Sequence, residues 1–207
     1  MKKRIFTLLA AFCLLGVCGA AADEVPYLQP FALRAQAVVE SGTCGESITW
    51  EFNSESGVLT ISGTGEMPSY SSAPYYPWYA YKNGVKTVII SEGVQSVGFG
   101  AFDMYPELTA VRVPSSVQSW GGSVFAQCKK LTSVTLAQGL KTLGKNTFGR
   151  CSALTSVSLP DSLETISVSA FADCSALTAI CRRLRTLPCF TAAIPLRNLK
   201  SIMRMMC

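Results

Sequence analysis

Apolar residues return along this chain in fixed columns rather than in blocks. From Leu108 the sequence runs LTAVRVPSSVQSWGGSVFAQCKK, from Leu131 LTSVTLAQGLKTLGKNTFGRCSA and from Leu154 LTSVSLPDSLETISVSAFADCSA, a period of 23 residues with no insertion. A divergent copy occupies residues 85–107, and a fifth begins at Leu177 and breaks off. Leu108, Leu131, Leu154 and Leu177 make one column; Val88, Val111, Val134, Val157 and Ile180 make another; Phe102, Phe125, Phe148 and Phe171 close each unit. A unit holds too few apolar groups to bury a face alone, so units must stack into one continuous core.

Within a unit the L-x-x-V-x-L spacing alternates, which predicts a short strand with every second residue turned inward. Pro114 or Pro160 then turns the chain, and Gly98, Gly121 and Gly144 share a column expected to need a backbone conformation that side chains resist, Ser167 being its exception. The path from there to the phenylalanine is expected to be a turn or short helix. Upstream, residues 48–52 and 58–62, joined through 53–57, predict a hairpin. The fold expected is therefore an α/β leucine-rich-repeat solenoid of 23-residue units behind a small β-hairpin cap. Its outward strand face would carry Thr87, Ile89, Ala110, Arg112, Ser133, Thr135, Ser156 and Ser158, with Arg112, Thr135 and Ser158 as candidate binding residues. Five such strands give a face on the order of 300 Å² in plan. A standard interface uses about 800 Å² per partner, so the cap, the loops or a longer array would have to contribute.

The chain starts MKKRIFTLLAAFCLLGVCGAAADE, a basic start, a short apolar run and small residues, which predicts a secretory signal peptide over residues 1–22. Leu15 to Cys18 has the outline of a lipid-anchor site, but the bulky Val17 fits it poorly. The expected order is then a linker at 23–41, the cap at 42–84, repeats at 85–180 and a basic tail at 181–207. The formal charge of +5 belongs to the ends: residues 23–180 hold nine basic and thirteen acidic residues, a net of −4, which is no footprint for nucleic acid. Histidine is absent, which removes Ser/His/Asp and Cys/His catalysis and the usual histidine metal sites. No acidic pair stands out for glycoside hydrolysis, and neither an enzyme activity nor a cofactor is expected.

The phrase L-T-x-V-x-L-P-x-S-L-x-x-I-x-x-x-A-F-x-x-C, as it stands in residues 154–174, resembles the repeat of BspA-like bacterial surface proteins. The lead-in GTCGESITWEF, then GVLTISGTGEMPSY and the Pro77–Trp78 pair, is similar to the segment that precedes such repeats, so the resemblance covers residues 42–180. Tyr105 departs from it in the cysteine column and Trp120 in an aliphatic one. The resemblance implies an exported, surface-displayed protein that binds host or neighbouring-cell macromolecules, an extracellular protein or glycan, and it carries no fixed motif that would name the partner. A glycan-binding module cut from a larger secreted enzyme or wall protein, and a remnant without function, are the alternative readings.

Cys128, Cys151 and Cys174 recur at the repeat period. Stacked Cβ vectors point alike rather than toward each other, which disfavours a disulfide, and a straight column lacks the convergence zinc needs. A small buried thiol packed under Phe125, Phe148 and Phe171 is the plainer reading. Seven cysteines would remain after signal removal, an odd number. The stretch MPSYSSAPYYPWYAY holds Tyr70, Tyr75, Tyr76, Trp78, Tyr79 and Tyr81. As a cap it would turn Trp78 inward; as a contact site it would present Tyr70, Tyr75, Tyr76 and Tyr79. The Ser/Thr row also suits a mineral or ice surface, though it is equally ordinary for a solvated strand. Past Ile180 the columns meet Arg182, Arg197 and Lys200, cations that a core would not accept unpaired. The tail is therefore expected to be a makeshift cap with Leu196, Leu199, Ile202, Met203 and Met206 on one helical face, a basic membrane contact, or the product of a coding-frame slip near residue 181. Translating the neighbouring reading frames of the DNA tests the last.

Overall fold

A computed structural model describes residues 38–182 apart from Val168, with the backbone alone for Cys181 and Arg182. The expected signal peptide, the lipid-anchor site, the linker up to residue 37 and the tail from 183 lie outside the described residues.

The chain forms a solenoid of stacked coils with two parallel ladders. In the larger sheet the strands are β1 (Val39–Cys44), β2 (Ile48–Asn53), β3 (Val58–Gly63), β5 (Thr87–Ile90), β7 (Ala110–Val113), β9 (Ser133–Leu136), β11 (Ser156–Leu159) and β13 (Ala179–Arg182). They pair in that order. The smaller sheet holds β4 (Gly65–Glu66), β6 (Val94–Val97), β8 (Ser119–Trp120), β10 (Thr142–Leu143) and β12 (Thr165–Ile166). The alternation read from the sequence holds: β7 and β11 bury every second residue.

The hairpin is present as β2 and β3, and β1 extends it to three antiparallel strands, beginning at Val39, upstream of the cap boundary drawn from the sequence. More consequential is what β3 does next. It pairs in parallel with β5, Leu59 opposite Val88 and Ile61 opposite Ile90, so the hairpin's second strand is already the first rung of the solenoid. At the other end β13 keeps register with β11 through Arg182 opposite Leu159, two residues beyond the expected limit at Ile180.

The core is one cluster running from Cys44 to Leu177. Its spine is a row of aromatic rings: Trp78 stacks on Phe102 at 5.8 Å, Phe102 on Phe125 at 5.2 Å, Phe125 on Phe148 at 5.8 Å and Phe148 on Phe171 at 5.4 Å. Trp78 thus fills the phenylalanine place in the coil ahead of the first repeat, and its Nε1–H donates to the Ala101 carbonyl. The return path is turn throughout. Among the described residues the helical segments are two single 3₁₀ turns, Ala73–Tyr75 and Tyr79–Tyr81, so the short helix allowed for each unit is not used.

The glycine column has a different cause from the one expected. Gly98, Gly121 and Gly144 are not among the positive-φ glycines. They are small because coils touch there: a Cβ at Gly121 would press on the Phe99 backbone, and one at Gly144 on the backbone of Gly121. Ser167 follows β12 in the fourth copy, and nothing in the contacts explains why a side chain is tolerated there. Left-handed backbone occurs instead in two other columns, Gly100, Ser123, Asn146 and Ser169, and Met104, Gln127, Arg150 and Asp173.

Candidate functional site

The outer face of the large sheet is continuous across cap and coils. One row of outward positions runs Ser41, Glu51, Thr60, Ile89, Arg112, Thr135 and Ser158, each opposite the next in register. Arg112, Thr135 and Ser158 are exposed and lie side by side on it. Eight strands rather than five give a plan area on the order of 500 Å², which moves the face toward the size of a standard interface. At its hairpin end the face dips into a groove of about 400 Å³ lined by Ser41, Gly42, Thr43, Thr49, Trp50, Glu51, Thr60 and Ser62. The hydroxyls of Ser62 and Ser91 meet at 3.1 Å where hairpin and solenoid join.

The aromatic stretch divides. Tyr75 is 64% exposed, whereas Tyr76 is 2% exposed and Trp78 fully buried. Tyr76 stacks on Trp78 at 5.1 Å and donates its hydroxyl to the carbonyls of Phe99 and Pro68, so as an outward contact residue it is corrected to a core residue. Burial pushes its phenol well above the usual range. Tyr70 packs edge-on against Tyr76 at 4.8 Å, and Tyr79 lies under the Lys82 ammonium at 4.3 Å; both are half-buried against the core. The segment is therefore mainly a cap, and Tyr75 is the most exposed ring in it.

Cys128, Cys151 and Cys174 are free and buried, as is Cys44. Each repeat thiol donates across one coil to a phenylalanine carbonyl: Cys128 to Phe102 at 3.2 Å, Cys151 to Phe125 at 3.1 Å and Cys174 to Phe148 at 3.0 Å. Burial holds the Cys128 thiol up to about 12 and that of Cys174 up to about 11. These are structural thiols, protonated at neutral pH. Among the described residues no group of three or more His, Cys, Asp or Glu gathers as a metal site would require. No helix among them is long and apolar enough to cross a membrane.

Against this geometry, the BspA-type leucine-rich repeat region matches residues 76–183 in six copies, more than half of the sequence. The chain belongs to the BspA-type leucine-rich repeat family. A leucine-rich repeat protein from Eubacterium ventriosum is 24% identical, with a TM-score of 0.57 over 70% of this chain and 44% of that one. The chain thus spans less than half the length of that protein. A leucine-rich repeat protein from T. pallidum is 20% identical over 67% of this chain and 70% of that one, with a TM-score of 0.49. A leucine-rich cell surface protein from Faecalibacterium prausnitzii is 20% identical over 72% and 56%, with a TM-score of 0.33. No curated protein matches the chain.

As a BspA-type repeat, the unit has two departures whose packing is visible. Tyr105 takes the cysteine's place in the first copy, fully buried, with a hydroxyl that has no hydrogen-bond partner. Trp120 takes an aliphatic place and sets its ring edge-on to Phe125 at 5.4 Å and tilted on Phe148 at 5.7 Å, its indole N–H likewise unpartnered. Neither breaks the stack: both rings lie buried within the one core cluster.

Proposed function

We propose that this BspA-type repeat protein is an exported, non-enzymatic binding module that engages an extracellular protein through the outer face of its large sheet, with adhesion as its role. The observation that carries the reading is the single face running from Ser41 to Ser158, polar apart from Ile89, with Glu51 and Arg112 as its charges along that row. Small hydroxyl side chains on rigid strands make a surface whose binding loses little side-chain entropy. The basic start and short apolar run of residues 1–22 support export.

The test is adhesion of cells displaying the full chain, or retention of the purified chain on immobilised extracellular-matrix protein. Arg side chains introduced by Thr135→Arg and Ser158→Arg should weaken binding about tenfold or more while leaving the melting temperature unchanged. Binding equal to the parent for both variants would overturn the assignment of this face.

A further inference from the structure

A second surface lies on the return turns, on the side of the coil away from the large sheet. It is a groove of about 550 Å³, within the usual span of ligand sites, lined among others by Phe99, Gly122, Ser123, Asn146, Lys145 and Arg150. The repeat builds it. Phe99, Gly122 and Lys145 occupy one column in successive copies, and Ser123 and Asn146 occupy the next. Phe99 is one of the few large apolar side chains on the outside, 40% exposed. Its ring leans over Gly122, where an added Cβ would come within 3.2 Å of ring carbon Cε2, so the glycine leaves the ring's side of the groove open. Asn146 donates to the Ser123 hydroxyl at 3.4 Å, and Arg150 reaches Asp173 at 3.4 Å through an exposed pair that costs little to reopen.

The local charge is opposite to that of the body. Lys129, Lys130, Lys141, Lys145 and Arg150 follow one another with no acid between them, in a chain whose residues 23–180 are net acidic. Lys145 and Arg150 bring part of that charge into the groove, where the one lining acid is Asp173, the partner of Arg150.

We propose that this groove binds an acidic oligosaccharide, one sugar ring resting on Phe99 and a carboxylate meeting Lys145 and Arg150. A peptide strand fits less well. The turn backbone is already engaged between coils, Gly100, Phe102, Met104, Ser123, Phe125 and Gln127 each donating N–H to the following coil. No strand edge is therefore offered along the groove, and recognition has to run through hydroxyls, an amide, cations and one aromatic face, the groups that sugars use.

The experiment is isothermal titration of the full chain with hexuronic-acid oligomers, against neutral hexose oligomers of equal length and poly-glutamate. Uronate oligomers should bind and the two comparators should bind at least about tenfold more weakly, with affinity falling as salt rises. Phe99→Ala should cost about tenfold and Lys145→Glu more, both exposed changes that leave the melting temperature in place. Thr135→Arg on the sheet face should change nothing, which separates this site from the one proposed for protein partners. Poly-glutamate binding as tightly as uronate would reduce the site to a charge patch; equal binding of neutral sugars would remove the acidic specificity. Uronate that does not bind, or binding indifferent to both groove variants, would overturn the proposal.

Discussion

The thiols of Cys128, Cys151 and Cys174 each reach back one coil to a buried carbonyl, and at Phe125 and Phe148 the thiol is a second donor beside the backbone N–H of the preceding cysteine in the column, an added bond that a valine in the column would not make. Burial raises Cys128 and Cys174 from an ordinary 9.0 to about 12 and about 11, so above pH 9 the unfolded chain releases protons that the folded chain keeps. Their contribution to stability is intact below pH 9 and is lost as pH climbs through 11 and 12. The melting temperature should fall over that window, and fall less, relative to its own neutral value, in a Cys128→Ala, Cys174→Ala variant. Tyr105 tests the same column from the other side. Its hydroxyl is buried without a partner, so Tyr105→Phe should be neutral or stabilise by about 1 kcal/mol in chemical denaturation. The cysteine column was legible in the sequence as packing because no base recurs beside it, but its acceptor was not: Phe102 and Cys128 lie in different copies, and their approach depends on how far each coil is rotated on the next. Tyr76 was misplaced for a related reason. Nothing in a run of tyrosines says which ring lies over Trp78.

The return turn is the element whose geometry the sequence conceals most. Met104, Gln127, Arg150 and Asp173 share left-handed backbone yet have no chemistry in common, so side-chain pattern carries no sign of it. Each such non-glycine residue costs about 1 kcal/mol or more, and the inter-coil bonds offset it. In the second repeat coil Gly122, Val124 and Ala126 accept from Gly100, Phe102 and Met104, while Ser123, Phe125 and Gln127 donate onward to Lys145, Thr147 and Gly149. Amides of turns usually exchange fast; those of Phe125 and Gln127 should exchange as slowly as the strand amide of Val111, which hydrogen-exchange mass spectrometry or NMR can check. Rapid exchange at both would mean the ladder is not held in solution. The close contact at the glycine column makes a second expectation. Gly144→Ala would force a methyl against the Gly121 backbone and should cost about 1–3 kcal/mol, a loss read from the denaturation midpoint. The strands, by contrast, were legible from alternation alone, because one face of each is buried and the other solvated.

For the molecule as a whole, the hairpin is not a lid placed on the solenoid but its first rung. The sequence hid this because the coil from Leu59 to Val88 is longer than the repeat and closes with Trp78 where the later copies have phenylalanine. A chain starting at residue 85 would leave β5 unpaired on that side and strip Trp78 from Phe102, so it should lack a cooperative melt and bind a hydrophobic dye. A sharp transition in that fragment would make the cap dispensable. The turn ladder gives the same stack an electrical axis. The peptide units before Ser123, Phe125 and Gln127 each receive from the coil behind and pass to the coil ahead, so their moments of about 3.5 D align along the solenoid instead of cancelling as they do in a sheet. The two ends of the stack are therefore unlike poles, negative toward the cap and positive toward the later coils, where Arg150 stands paired with Asp173. Each coil that such an array contains lengthens that dipole, so repeat number sets how far its field extends as well as how much surface it offers.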